Sequence, residues 1–275
     1  MVKKDLPERA KDHTSERETP VEQVESGVQQ VVKGVEHEVE RSRVPWYRTS
    51  KRVYFLIGFY AVLTVLFSLL AWFVHFHPII PVDIAITKEF QENQAPWLSY
   101  SMLAVSYLGF HFLLFTGLIV LTAIIFWLVN LRLEALLIVA VSAVSALLNG
   151  GIKVIVARPR PSDRLVDVLY KVSGQSFPSG HVMSYVAYFG LLFSLGVILL
   201  KRDRWWHYLI LIIPALFVIL VGPSRIYLGD HWASDVLGAY LIGGIILGVA
   251  LWIYLKLREK GVLARKERRS IRGEG

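Results

Sequence analysis

Six stretches of this 275-residue chain are apolar for about the length that a helix needs to cross the hydrocarbon core of a bilayer. They fall at about residues 53–73, 110–129, 135–156, 182–200, 205–221 and 232–255. The segment 93–131 carries no Asp, Glu, Lys or Arg and is too long for one straight span. A split near Gly109 divides it into a short interfacial helix, 97–108, and the second span. Only helices and closed barrels satisfy their backbone hydrogen bonds inside lipid, and continuous apolar runs of this length are helical. The expected fold is therefore all-α: an integral membrane six-transmembrane-helix bundle with a hydrophilic N-terminal extension. Pro214, inside the fifth run, predicts a kink there. A composition of 54% hydrophobic and 19% charged residues agrees with a bilayer rather than a soluble core. The chain has no cysteine, which excludes disulfide scaffolds, thiolate metal sites and cysteine nucleophiles.

The formal net charge of +8 is unevenly distributed, with −4 in residues 1–40 and +12 in residues 41–275. The extension, residues 1–50, has no aromatic residue before Trp46 and no apolar core, so it reads as disordered or loosely helical. Val21, Val24, Val28, Val31 and Val35 would line one helix face, a pattern that Gly27 and Gly34 interrupt. No apolar signal-peptide core precedes residue 53. The six spans define the domain 51–258, and 259–275 is a basic tail. One set of span ends carries seventeen Lys and Arg, and the opposite connections, 74–96, 157–181 and 222–231, carry six. Positive charge favours the cytoplasmic side, so both termini are expected there and those three connections outside, in a multi-pass plasma-membrane protein. The basic residues then serve topology and attraction to anionic lipid, and no nucleic-acid partner is expected.

Those outward connections hold three polar clusters at or near membrane depth, where such residues are costly. The first is Lys153 with Arg158-Pro159-Arg160-Pro161; the second is Pro178-Ser179-Gly180-His181; the third is Ser224-Arg225, followed by His231 and Asp235. Lys153, Arg160 and Arg225 supply cations, and guanidinium forks match phosphate oxygens two at a time. Ser179-Gly180-His181 opens a helix, where free N–H groups favour an anion and Gly180 admits close approach. His231 and Asp235 stand four residues apart, which on a helix gives one face. A carboxylate so placed fixes the imidazole tautomer and leaves the other ring nitrogen to attack. His181 would then protonate the leaving oxygen.

In order, spacing and residue type, Lys153-x6-Arg160-Pro161, Pro178-Ser179-Gly180-His181 and Ser224-Arg225-x5-His231-x3-Asp235 resemble the three-part signature of the type 2 phosphatidic acid phosphatase superfamily, whose site vanadium haloperoxidases share. All eleven signature positions match. The resemblance spans residues 153–235 and leaves the first 50 outside it. It implies metal-independent hydrolysis of a lipid phosphate, with no cofactor. By similarity His231 is the nucleophile that forms a phosphohistidine, Asp235 orients it, and His181 is first the acid and then the base for water. Lys153, Arg160, Ser179, Gly180, Ser224 and Arg225 would hold the phosphoryl oxygens. Bacterial relatives act on phosphatidylglycerophosphate, phosphatidate or polyprenyl diphosphates such as undecaprenyl diphosphate. A phosphotransferase passing the group to another lipid or sugar, and a non-catalytic anionic-lipid binder, are the alternatives.

Other polar residues carry less. Arg158 and Arg164 read equally as head-group contacts or solvated loop cations. Asp230 beside His231 lacks the ligand set of a metal site. His75, His77 and His111 read as interfacial, and Asn149-Gly150-Gly151 as a place of close helix packing or a local kink. Trp46, Trp97, Trp205, Trp206 and Trp232 sit at span ends as interface anchors.

Overall fold

The computed structural model describes residues 50–200, 204–260 and 262. The acidic extension with its valine repeat, Trp46, Lys201, Arg202 and residues 261 and 263–275 of the basic tail lie outside the described residues. All regular structure within them is helical, in eight helices. These are α1 (Ser50–Phe76), α2 (Pro81–Gln91), α3 (Pro96–Phe110), α4 (Phe112–Leu128), α5 (Arg132–Val156), α6 (Gly180–Leu199), α7 (Trp205–Tyr227) and α8 (Ala233–Glu259). Two compact units divide the chain, Met1–Gly58 and Phe59–Gly275. Of the first, only the opening turns of α1 are described, and everything below concerns the second.

Five helices, α1 and α5–α8, are long and apolar enough to cross a membrane. The pair α3–α4 passes the same test as one span, but bends by 72° at His111. The break thus falls two residues beyond Gly109, and the expected interfacial helix runs to Phe110. The expectation did not include α2, whose eleven residues start at Pro81, a residue well suited to a first helical turn.

α6 is the centre of the bundle, packing against α3, α5, α7 and α8. It contains a π turn at Val186–Gly190, and its core residues Val182, Tyr185, Ala187 and Leu191 are buried. Stacking of Phe115 on Tyr185 at 5.6 Å and of Phe189 on Phe217 at 4.6 Å ties α4 and α7 to it. A smaller cluster of Phe67, Val74, Val156 and Phe177 seats the second half of α1. Gly150 and Gly151 face open space inside an unbroken α5, so they serve neither close packing within the chain nor a kink. Trp232 is not an interface anchor: it is buried, and its indole N–H donates to Pro159 O at 3.2 Å.

Two tyrosines enter helical ladders at matching steps. The Tyr185 hydroxyl accepts from Gly109 N at 3.3 Å and donates to Val105 O at 2.7 Å. The Tyr240 hydroxyl accepts from Gly222 N at 3.2 Å and donates to Val218 O at 2.6 Å. In each case a hydroxyl bridges the N–H and C=O that an i→i−4 bond would otherwise join directly. The first insertion lies just before the α3–α4 break. The second precedes Pro223, whose missing N–H also withdraws a partner from Ile219 O. α7 runs through both Pro214 and Pro223. Tyr240 thereby couples α8 to α7 immediately before Ser224-Arg225. Tyr240→Phe removes the bridge and leaves a buried donor and acceptor without it, and should cost about 1–3 kcal/mol. Thermal unfolding in detergent reads this as a lowered midpoint; an unchanged midpoint would show that the ladder closes without the hydroxyl.

Candidate active site

The three clusters meet at one end of the bundle. α5 ends at Ala157, which adopts a left-handed conformation with φ 50°, and the Arg-Pro-Arg-Pro run that follows cannot prolong the helix. The loop returns through Ser176, whose N–H donates to Arg158 O at 2.8 Å, and then a cis Phe177–Pro178 bond. Ser179 N donates to Asp235 O at 3.2 Å, joining the start of α6 to the start of α8. Asn149 explains its own place in α5: its amide donates to Pro178 O at 3.1 Å and steadies the Ser-Gly-His turn.

His231 does not sit on a helical face shared with Asp235, because α8 begins only at Ala233. The histidine belongs to the turn after α7, where Asp230 N and His231 N both donate to Arg225 O. Gly229 makes the turn possible at φ +69°, in a space where a Cβ would overlap Asp167 O. Asp235, in the first turn of α8, folds back and accepts from Trp232 N at 2.9 Å. That cap brings its Oδ2 to 3.5 Å from His231 Nδ1. Ser176 Oγ donates to the same carboxylate oxygen and stands 3.4 Å from Nδ1.

On the other side of the ring, Arg160 Nη1 lies 3.2 Å from His231 Nε2. A guanidinium only donates, so Nε2 is the accepting nitrogen and the proton of the neutral imidazole is on Nδ1, facing Asp235. His231 is 1% exposed. Burial first, then the charges of Arg160, Lys153 and Arg225, push its pKa well below the ordinary imidazole value. Burial also lowers that of Arg160, against the attraction of Asp235. The result is an uncharged ring whose Nε2 lone pair faces Arg160 among cations.

Lys153 Nζ donates to Gln175 O at 2.5 Å. Arg160 also donates to Asp230 O at 2.9 Å and to Gly174 O at 3.2 Å. Arg225 is buried and pairs with Asp230, while its Nε and Nη1 have no hydrogen-bond partner among the described residues. The same holds for the buried Ser179 Oγ and His181 Nε2. His181 is within electrostatic reach of Arg225, His231, Arg160 and Lys153. Ser224 Oγ is tied to α3, donating to Met102 O at 2.7 Å and 2.5 Å from Ser106 Oγ. Unpaired donors around a neutral imidazole are what an incoming phosphoryl group requires. Asp230 is not in any metal-holding group of three acidic or histidine side chains among the described residues.

Several residues here had no motif to announce them. Phe110, at the α3–α4 break, lies under Arg225 with 4.5 Å from guanidinium carbon to ring centroid, and edge-on to His181 at 5.0 Å. Tyr170 packs against it with ring centroids 4.0 Å apart. The one available signal was an aromatic residue at a helix break on the same side as the clusters. Arg158 is neither a head-group contact nor a solvated cation: it is buried, donating to Asp235 Oδ1 and Asp83 Oδ2, each at 2.7 Å. Arg164 is exposed and lines a cleft of about 330 Å³ with Lys88, Glu92 and Asp167. His75 Nδ1 lies 3.0 Å from Val156 O, and His111 is exposed against Tyr107.

Comparison with known proteins identifies the family. The family model described as PAP2 superfamily matches residues 133–259. Phosphatidylglycerophosphatase B of Bacillus subtilis (strain 168) is 30% identical over 181 residues, covering 66% of this chain and 87% of that protein. An undecaprenyl-diphosphatase of Sulfolobus acidocaldarius is 34% identical over 112 residues, 38% of this chain and 48% of that one. Among solved structures, the crystal structure of a transmembrane PAP2 type phosphatidylglycerolphosphate phosphatase from Bacillus subtilis superposes with a TM-score of 0.63 at 29% identity. The match covers 72% of this chain and 96% of that one. The chain belongs to the PAP2 superfamily.

Gly109 lies against the imidazole of His181, where a Cβ would overlap the ring. Gly109→Ala should therefore displace His181 and lower any turnover that depends on it by at least about tenfold, the effect of misplacing a reacting group. Turnover and detergent melting curves measured together check this: full activity in a stably folded variant would show that His181 tolerates the shift.

Proposed function

We propose that this PAP2 superfamily member hydrolyses the phosphate of a membrane lipid at the outer face of the cytoplasmic membrane, through a phosphohistidine on His231 and without a metal. The observation that carries the reading is the polarity of the His231 ring, with Nδ1 towards Asp235 and the Nε2 lone pair towards Arg160. In the first step the Nε2 lone pair forms the N–P bond as the P–O bond to the lipid breaks. His181 gives its proton to the departing oxygen. In the second, water attacks phosphorus, His181 takes a proton from it, and the N–P bond breaks to release inorganic phosphate. Asp235 stabilises the positive charge that His231 carries in the intermediate.

The phosphoryl oxygens would take up the donors described above. Arg160 leaves Nε2 to the phosphorus and moves onto an oxygen, and Arg225 turns its unpartnered Nε and Nη1 to the same group. Ser179, Gly180 and Lys153 complete the cradle. Ser224, anchored on α3, would contribute by holding the end of α7 in place or through its backbone. The outer-face assignment rests on the excess of Lys and Arg, seventeen against six, at the opposite ends of the spans. The names of the relatives, a phosphatidylglycerophosphatase and an undecaprenyl-diphosphatase, support broad lipid-phosphate specificity. Phosphatidylglycerophosphate or undecaprenyl diphosphate is the physiological substrate in this reading, with phosphatidate a further one.

The test is phosphate release by detergent-solubilised protein in EDTA against a panel of these three lipids. His231→Ala should lower kcat by more than about 1000-fold, as loss of a nucleophile does. Arg225→Ala should cost about 100- to 1000-fold, the effect of losing a preorganised donor to the transition state. Full activity of His231→Ala would remove the proposed nucleophile, and a product that forms only with an added acceptor would mark a phosphotransferase. The pH dependence has a definite sign. Only neutral His231 attacks, and its pKa lies well below 6.5. Activity should be present above that pKa and fall as pH drops through it. After correction for the substrate's own ionisation, the acid limb of kcat/KM should lie below pH 6.5. Arg160→Gln, which removes the nearest cation, should move it upward.

A further inference from the structure

The helix α2 carries its polar residues inward. Asp83, Thr87 and Gln91, at i, i+4 and i+8 on one face, are buried, while Val82 and Phe90 are exposed. Such reversal suits a helix at the rim of a bilayer protein, where lipid lies outside and a polar site inside. Its two ends grip different parts of that site. Gln91 donates to Asp167 O at 2.6 Å and to Tyr227 O at 2.9 Å, bracing the loop and the end of α7. Asp83 reaches α8: its Oδ1 accepts from Ser234 N at 2.9 Å, and its Oδ2 from Ser234 Oγ at 2.5 Å and from Arg158 Nη2 at 2.7 Å.

Arg158 is the link between this carboxylate and Asp235. Its side chain has no exposed surface, and four hydrogen bonds fix it. Nε donates to Pro78 O at 2.9 Å, Nη2 to Asp83, and Nη1 to both Ser234 Oγ and Asp235 Oδ1 at 2.7 Å. Asp235 is thus divided between two duties. Oδ1 belongs to Arg158, and Oδ2 belongs to Trp232 N, Ser176 and the approach to His231 Nδ1.

A buried ion network of this kind is weak evidence for stability, because well-packed apolar residues commonly replace one at no cost. Orientation is the better account of its place, directly behind the carboxylate that must present one chosen oxygen to the imidazole. We propose that Asp83 and Arg158 are positioning residues for the reaction: Asp83 holds Arg158 and the first turn of α8, and Arg158 sets the carboxylate of Asp235 so that Oδ2 faces His231. The inference rests on His231 being the nucleophile.

Asp83→Asn keeps the shape and removes the charge, and Arg158→Gln removes the fork. Each should lower kcat about 10- to 100-fold, as loss of the outer partner of an oriented histidine does. KM for phosphatidylglycerophosphate should change by less than about threefold, because neither residue is placed among the phosphate donors. The double variant should lose about as much as the worse single one, since both act through one link; independent structural damage would multiply. His231→Ala is assayed in parallel. Wild-type kcat in folded Asp83→Asn beside an inactive His231→Ala overturns the positioning role and leaves the nucleophile intact. An active His231→Ala removes the nucleophile, and with it the basis of the inference. Should Asp83→Asn fail to fold in detergent, Ser234→Ala deletes one bond to each partner and leaves both charges. It should lower kcat about three- to tenfold with KM held, less than either charge variant because the Arg158–Asp83 and Arg158–Asp235 pairs stay in place, and wild-type kcat there overturns the proposal equally.

Discussion

The Asp235 carboxylate, with no exposed surface, is the interaction on which this end of the molecule depends. A carboxylate withdrawn from water is unfavourable unless each oxygen is met by donors. Here the donors come from four different places: Arg158 after α5, Ser176 before α6, the Trp232 amide at the mouth of α8, and the ring of His231. Satisfying one charge therefore draws two connections together, the one between α5 and α6 and the one between α7 and α8. The same carboxylate closes the N-terminus of α8, so the geometry of the helix start and that of the proposed nucleophile are a single arrangement.

Around this centre the usual distribution of polarity is reversed. The outward faces of the helices carry large apolar side chains, such as Leu113, Leu147 and Ile155, which lipid solvates. Polar groups gather inside at one end, where they must find partners in one another. The inserted hydroxyls of Tyr185 and Tyr240 follow from the same requirement. A helix opened at membrane depth has no water to satisfy its freed groups, so a side chain from the neighbouring helix does so. Both insertions stand next to parts of the site, where α3 breaks and where α7 prepares to present Arg225.

The spans and the three clusters were legible because each has a local sequence cause: apolar length for the helices, and fixed spacing of phosphate-type residues for the clusters. Asp83, Ser176 and Phe110 were not, since their roles arise from contacts between segments far apart in the chain, with Asp83 75 positions from Arg158. α2 escaped because its inward face is polar, the opposite of the pattern that marks a helix in a soluble protein. Spacing also misled in two places. The interval between His231 and Asp235 suggested a helical face, yet a cap and a turn bring them together. Gly150-Gly151 suggested packing, yet it is their neighbour Asn149 that makes the contact.

The Arg158-Pro159-Arg160-Pro161 run shows how one short segment serves both halves of such a site. Each arginine precedes a proline, which biases it towards a polyproline-like backbone, whose three residues per turn set side chains two positions apart on different sides. Arg158 turns inward to two carboxylates, and Arg160 turns to the far side of the histidine that one of those carboxylates faces. The prolines also keep α5 from continuing, so both arginines stay beyond the helix end. Two guanidinium groups thus act on opposite sides of the Asp235–His231 pair: one is neutralised and structural in its contacts, the other left to meet an anion.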